Sequence, residues 1–143
     1  GSNMIQTNQQ RGIYLNTGEF TNYGIETAVN YKLNENLQVN TNYSYLYTEK
    51  QILGAPEHKY YLGVNYSFKN IQVNLNMEHI NDLYTQAPDS ETYTLLNSRI
   101  TYNQSESLGF FLSAENLTGT DYHITYGYPM PETTLFGGIK FDF

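Results

Sequence analysis

Apolar and polar residues alternate with a period of two along most of the chain, most clearly in residues 37–48. Apolar or aromatic side chains occupy positions 37, 39, 43, 45 and 47, and small polar side chains occupy positions 38, 40, 42 and 44. A period of two places alternate side chains on opposite faces of a β-strand, whereas an amphipathic helix needs a period near 3.6. The pattern therefore predicts an all-β chain whose strands each have one apolar and one polar face.

The same alternation predicts eight strands, over residues 4–16, 23–33, 37–48, 58–68, 71–80, 93–102, 108–115 and 135–143. Short turns centred near residues 35, 70 and 105 alternate with longer connections over residues 17–22, 49–57, 81–92 and 116–132. Short turns at one end of a sheet and long loops at the other are typical of an up-and-down transmembrane β-barrel. Residues 1–4 resemble the remnant of a cloning site, so we expect one domain over residues 5–143.

The apolar faces fit two architectures, a soluble β-sandwich with an apolar core or a membrane barrel with an apolar outer surface. The low charge of the chain, 15% of its residues, favours the barrel, because a soluble surface usually carries more Lys and Glu. No charged residue falls on the apolar face of the strands predicted over 23–33, 37–48, 58–68 and 135–143. Tyrosines near the strand ends match the aromatic belts of membrane barrels.

Several classes of function are disfavoured by composition. The net charge of −7 argues against nucleic acid as a partner, because its binding needs a basic surface. The chain has no cysteine, and His58, His79 and His123 are not at metal-ligand spacing, so we predict no metal site and no cofactor. No nucleophile motif is present, and we predict that the chain is not an enzyme.

Charged residues on the polar faces are the candidate lumen-facing set of a barrel. Internal ion pairs and hydrogen bonds are their expected role, because a buried polar surface must be satisfied. These residues are Glu26, Lys32, Glu78, Arg99, Glu115 and Lys140.

Three motifs and the last residue stand out in the final third of the chain. They are Tyr93-x-Leu95-Leu96-Asn97-x-Arg99-Ile100-x-Tyr102, Glu115-Asn116-Leu117-Thr118-Gly119-Thr120-Asp121-Tyr122, Gly127-Tyr128-Pro129-Met130-Pro131 and Phe143. Together they resemble the C-terminal end of TonB-dependent outer-membrane receptors, with cobalamin and siderophore receptors as the most similar branch. Residues 24–26 and 54–58 are similar to late barrel strands of that family. The chain departs from the family at Glu132-Thr133, where Gly-Arg is usual, which puts any role of that arginine in doubt.

The resemblance implies a 22-stranded barrel with an N-terminal plug, in the outer membrane of a Gram-negative bacterium. Such a receptor takes up siderophore iron, haem, cobalamin or another large nutrient with energy from the inner membrane. This chain would supply the last eight strands and would not be transport-competent alone. Its implied partners are outer-membrane lipid, the barrel-assembly machinery, and the remaining strands and plug of the parent receptor.

Eight strands cut from a larger barrel would leave two unpaired edges. We expect the edges to close into a small eight-stranded barrel, with residues 4–16 paired to residues 135–143. Pairing between copies of the chain is the alternative. The competing functions are a stand-alone outer-membrane barrel with a structural or adhesive role and a soluble all-β binding module.

The last predicted strand ends on an aromatic residue, Phe143. The terminus of a soluble protein is usually frayed and rarely ends on an exposed apolar strand. The spacing Gly138-x-x-Phe141-x-Phe143 resembles the C-terminal signal read by barrel-assembly machinery. The resemblance therefore assigns Gly138, Phe141 and Phe143 a role in membrane assembly.

Overall fold

The computed structural model describes residues 2–8, 13–86 and 88–143, with the backbone alone for residues 2–8 and 13–20. All regular structure in these residues is β. In chain order the strands are β1 Ser2–Asn8, β2 Ile13–Phe20, β3 Asn22–Lys32, β4 Leu37–Thr48, β5 Pro56–Phe68, β6 Ile71–Leu83, β7 Glu91–Asn103, β8 Leu108–Glu115, β9 His123–Thr125, β10 Tyr128–Pro129 and β11 Thr134–Phe141. Among the described residues no helix has the length and apolarity needed to cross a membrane.

Seven of the strands form one antiparallel sheet in the order β11-β8-β7-β6-β5-β4-β3. Hairpin turns join β3 to β4, β5 to β6 and β7 to β8, and longer connections join the other neighbours. The predicted alternation of short turns and long connections is therefore confirmed from β3 onward. Two separate hairpins, β1–β2 and β9–β10, account for the remaining strands.

The strand predicted over residues 4–16 and the connection predicted over residues 17–22 are wrong. The strand expected over 4–16 ends at Asn8, and positions 9–12 lie outside the described residues. The connection expected over 17–22 is largely strand, because β2 continues through Phe20, which pairs with Ser2. Backbone pairing within this hairpin overrides the polar, glycine-containing composition that suggested a loop.

The expected eight-stranded closed barrel is also wrong for the described residues. Closure required residues 4–16 to pair with residues 135–143, but β1 pairs with β2, and the partner of β11 is β8. β1 and β2 form a separate two-stranded sheet, and neither pairs with a strand of the larger sheet. The sheet is therefore open, with β3 and β11 as its edges.

Side-chain hydrogen bonds fix the short turns. The Asn34 side-chain oxygen accepts the backbone N–H groups of Asn36 and Leu37 at 2.8 and 2.9 Å. The Ser105 hydroxyl oxygen accepts those of Ser107 and Leu108 at 3.3 and 3.1 Å. Such local bonds stabilise a turn over continued strand and set the register of the strands that follow.

The register keeps like side chains on the same face. Directly paired residues point to the same side of an antiparallel sheet. One row of such pairs crosses all seven strands through Tyr31, Val39, Val64, Leu75, Ser98, Ala114 and Leu135. Two residues closer to the short turns, the next row on the same face is also mainly apolar. The single row between these two lies on the opposite face and is mainly polar. The sheet therefore has one apolar face and one polar face along its whole width.

A ring covers a glycine on the polar face near the edge strand. Phe111 of β8 pairs with Gly138 of β11, and a Cβ added at Gly138 would overlap the Phe111 ring. The guanidinium of Arg99 lies over the same ring, 4.0 Å from its centroid. The missing side chain at Gly138 thus lets Phe111 lie flat, where Arg99 can stack on it.

We expect Gly138→Ala to lower the free energy of unfolding by about 1–3 kcal/mol, because the new methyl group displaces the Phe111 ring. Gly137→Ala is the matched control, since its Cβ would lie no closer than 3.6 Å to any neighbour. Urea midpoints of the two variants measure the difference. Equal midpoints would contradict the assigned packing.

Candidate functional site

The apolar face carries a band of exposed aliphatic side chains. Its members are Val29, Leu62, Leu75, Met77, Ile100, Leu112, Leu135 and Ile139. A continuous apolar surface of this extent needs lipid or protein against it, because monomeric soluble proteins rarely expose one. The band therefore marks one face of the sheet as a contact surface.

Aromatic rings border this band toward both ends of the strands. On β5, Tyr60 lies toward the long connections and Tyr66 toward the short turns. The six-residue separation corresponds to about 20 Å along the strand. The lipid-facing band of an outer-membrane barrel is about 25 Å tall with aromatic girdles at both interfaces. The spacing of the rings is therefore close to that of a membrane barrel.

The rings at the long-connection end contact one another. Tyr43 and Tyr60 have centroids 4.7 Å apart, and Tyr23 and Tyr47 stack at 4.8 Å. His58 lies in the same cluster, and its Nδ1 is 2.9 Å from the Tyr43 hydroxyl. Ring contacts combined with polar tips suit a boundary between an apolar layer and water.

The polar face is cross-linked by asparagine amides. Asn65 donates to Asn40 at 3.2 Å and accepts from Asn74 at 2.5 Å. Asn97 donates to Asn76 at 3.0 Å. These bonds join neighbouring strands across the polar face without charge.

The register places all six of the predicted lumen-facing residues on this polar face. Glu78 forms an ion pair with Lys59 at 3.4 Å, and Lys140 forms one with Asp142 at 3.2 Å. Glu26, Lys32 and Glu115 form no ion pair within the described part of the chain. That these side chains line a lumen stays a prediction.

The connection between β8 and β11 packs against the polar face at the long-connection end. Tyr122 stacks on Tyr93, with ring centroids 4.4 Å apart. They form a buried cluster with Ile80 and Leu83, against which Leu95 and Met130 pack. Burial raises the pKa of Tyr122, and the nearby carboxylates of Glu115 and Glu78 raise it further.

Asn116 holds this connection in place. It is 4% exposed and has a positive φ of 50°. Its side-chain amide donates to the carbonyls of Thr120 and Pro131 at 2.8 and 3.2 Å, and its oxygen accepts the Thr120 N–H at 2.9 Å. Its own N–H donates to the side-chain oxygen of Asn97 at 2.9 Å. One side chain thus joins both ends of the connection, and its backbone ties them to β7.

Sequence reasoning missed this cluster, although a signal was present. Three large apolar residues, Ile80, Tyr93 and Leu95, occupy positions of their strands that alternation assigns to the polar face. Large apolar residues on a polar face indicate that another segment covers them. Asn116 lies in a quoted motif, but its role depends on Pro131, fifteen residues away, which a local pattern does not reveal.

The histidines do not form a ligand set. His58 and His79 are on the apolar face, where His79 Nδ1 is 2.8 Å from the Thr94 hydroxyl. His123 lies on the last connection, 3.2 Å from a carboxylate oxygen of Glu91. Within the described ranges no group of three or more His, Cys, Asp and Glu side chains could hold a metal ion.

The three residues of the predicted assembly signal lie on or after the edge strand. Phe141 and Phe143 are on the apolar side and meet edge to face, with centroids 5.0 Å apart. The Asp142 N–H between them donates to the Ser107 carbonyl at 2.9 Å, so pairing continues past the end of β11. Gly138 points to the other face, under the Phe111 ring.

Comparison with known proteins identifies the architecture. A sequence model of the family described as TonB dependent receptor-like, beta-barrel, matches residues 2–117. The structure of the copper transporter OprC aligns with a TM-score of 0.76 and 14% identity, over 99% of this chain and 27% of its own. No curated protein sequence matches the chain.

The ferric-catecholate import receptor Fiu from E. coli K12 has the same fold in two crystal forms. Its closed form aligns with a TM-score of 0.70 and 21% identity, over 97% of this chain and 23% of its own. Its open form aligns with a TM-score of 0.66 and 23% identity, over 84% of this chain and 20% of its own. The chain therefore spans about a quarter of the length of these solved structures.

We expect Asn116→Ala to destabilise the fold by about 3 kcal/mol, because it leaves backbone groups of Thr120 and Pro131 unpaired and strains a left-handed residue. Asn116→Gly keeps the backbone conformation and should recover only part of the loss. Urea unfolding measures the energy, and limited proteolysis within residues 117–133 measures release of the connection.

Asn42→Ala on the same face is the control, since the Asn42 side chain has no hydrogen-bond partner in the described residues. If Asn116→Ala were no more sensitive to protease than this control, the anchoring role would be wrong.

Proposed function

The chain belongs to the TonB-dependent receptor-like β-barrel family, and we propose that its seven-stranded sheet forms part of the wall of an outer-membrane receptor for nutrient uptake. Members of this family are transport receptors of the Gram-negative outer membrane rather than enzymes. The observation that carries the proposal is the pair of faces that the register produces, one apolar with aromatic borders and one cross-linked by amides.

In the proposed wall, the apolar band faces lipid and the aromatic rings lie at the two membrane boundaries. The polar face lines the lumen, where Glu26, Lys32, Glu78, Arg99, Glu115 and Lys140 contact water, the plug or solute. The remaining strands of the barrel pair with the free edges of β3 and β11. This pairing satisfies the backbone groups that an open sheet would leave exposed to hydrocarbon.

The proposed cargo is a large nutrient such as siderophore-bound iron, haem or cobalamin. Fiu is a ferric-catecholate import receptor and OprC is a copper transporter. Both support the barrel architecture, and at 14–23% identity neither fixes the cargo. Family membership argues against the soluble binding module, and the open sheet argues against the stand-alone eight-stranded barrel.

Tryptophan reporters test which face meets lipid. The chain has no tryptophan, and Val64 and Asn65 are adjacent residues on opposite faces of β5. In vesicles with brominated acyl chains we expect strong quenching of Val64→Trp fluorescence and weak quenching of Asn65→Trp fluorescence. The reason is that alternate residues of a barrel strand point to lipid and to lumen.

The same two variants also separate the competing functions. A soluble module would stay folded and monomeric in detergent-free buffer, and neither reporter would be quenched by lipid. Equal quenching of both reporters would contradict the assignment of the faces.

We also propose that Gly138, Phe141 and Phe143 act in assembly of the barrel into the outer membrane. Phe143→Ala should lower the amount of heat-modifiable receptor in outer-membrane fractions severalfold. Leu33→Ala, an exposed apolar residue next to a short turn, should lower it much less. Equal outer-membrane levels of the two variants would refute the role of Phe143.

A further inference from the structure

A cavity opens between the last connection and the polar face of β7 and β8. Its volume is about 520 Å³. Tyr122, Met130 and Phe136 contribute apolar surface, and Arg99, Glu115 and Glu132 contribute charge. Ligand sites commonly combine an apolar wall with a few convergent polar groups.

The charged groups of this cavity do not neutralise one another. Arg99 stacks on Phe111, and within the described residues it forms no ion pair. Glu115 and Glu132 form no ion pair there either. The cavity therefore presents a cationic donor and two anionic acceptors that remain free to bind a ligand.

The positive and negative side chains of the cavity lie at different positions along the strand direction. Arg99 pairs with Ser113, two residues before Glu115 in β8, which corresponds to about 7 Å along the strand. Glu132 lies at about the same level along the strands as Glu115. Thr134 pairs with Glu115, and the Thr134 hydroxyl donates to the Glu132 carbonyl at 3.2 Å. The acceptors are thus nearer the long connections and the donor nearer the short turns.

We propose that this cavity binds a small zwitterionic group with an apolar body, as in a short peptide. Its ammonium binds Glu115 and Glu132, its carboxylate binds Arg99, and its apolar part packs on Tyr122, Met130 and Phe136. The inference rests on the proposed function in one respect, namely that the polar face lines a lumen. Either a free peptide-like solute or a segment of the same receptor can supply this chemistry.

Three probes test the charge pattern on the purified receptor that contains this chain. Leucyl-leucine carries both charges, its N-acetyl form lacks the cation, and its amide lacks the anion. We expect leucyl-leucine to bind about tenfold more tightly than either derivative in calorimetric titrations, because each derivative loses one charge-assisted contact.

Two variants assign the contacts. Glu132→Gln should weaken leucyl-leucine and its amide but leave the N-acetyl form unchanged. Arg99→Met, which keeps an apolar stem against Phe111, should weaken leucyl-leucine and its N-acetyl form but leave the amide unchanged. Glu35→Gln, in a distant short turn, is the matched control and should change none of the three affinities.

A reporter inside the cavity distinguishes a segment of the receptor from a free solute. Ser113→Cys lines the cavity, and Ser67→Cys lies on the same face outside it. If a receptor segment fills the cavity, leucyl-leucine will not bind, and maleimide will label position 113 slowly. Labelling will then accelerate when Glu132→Gln or Arg99→Met is added, while position 67 is unaffected.

The proposal is overturned if leucyl-leucine does not bind and position 113 is labelled as fast as position 67. It is equally overturned if all three probes bind with the same affinity. Each of these results can occur in a receptor that folds in the membrane and shows the expected lipid quenching. A result that overturns the proposed ligand site can therefore be distinguished from one that overturns the proposed barrel.

Discussion

Satisfaction of backbone hydrogen bonds at the sheet edges is the constraint on which this structure depends. Seven antiparallel strands satisfy one another in the interior of the sheet, but β3 and β11 each present a row of unpaired groups. Water can solvate such groups, whereas hydrocarbon cannot. A sheet with a lipid-facing surface and free edges is therefore stable only as part of a closed structure. The β1–β2 hairpin does not provide closure, because it pairs with neither β3 nor β11.

The two faces differ consistently because the register of the sheet hardly changes from one edge to the other. The register from β3 to β11 shifts at only one point in the described part of the seven-stranded sheet, between Ile80 and Leu83. A slip of one residue anywhere else would place polar side chains in the apolar band. The alternation of the sequence and the constant register on either side of this shift therefore depend on each other, because alternation without register would mix polar and apolar side chains on each face.

Much of the sheet could be predicted from the sequence, and the reasons are local. Strands β3 to β8 follow from alternation, and turns such as Asn34–Asn36 follow from side chains that bond to their own backbone. The two failures are non-local. Pairing of β1 with β2 depends on which partner is available, and closure depends on strand number and on chain outside these residues. No periodicity in residues 4–16 distinguishes a hairpin from a strand that joins the sheet.

The sequence predicted the candidate site least well near Asp82 and Asn116, two residues with left-handed backbone conformation that interrupt the regular strands. Asp82, with φ of 54°, lies at the register shift, so Ile80 and Leu83 enter one cluster despite their odd spacing. Asn116, with φ of 50°, ends β8 and directs the last connection onto the same face. Strand parity alone places Ile80, Tyr93 and Leu95 on this face, but it does not place Leu83 there or supply the connection that covers them. The register shift at Asp82 brings Leu83 into the buried cluster beside Ile80, and the turn at Asn116 starts the connection that carries Tyr122 onto it. Asp and Asn adopt positive φ at low cost, which suits them to these two positions. The cavity beneath the connection is lined by Asn116 itself, together with Tyr122 and Met130 of the connection that follows it.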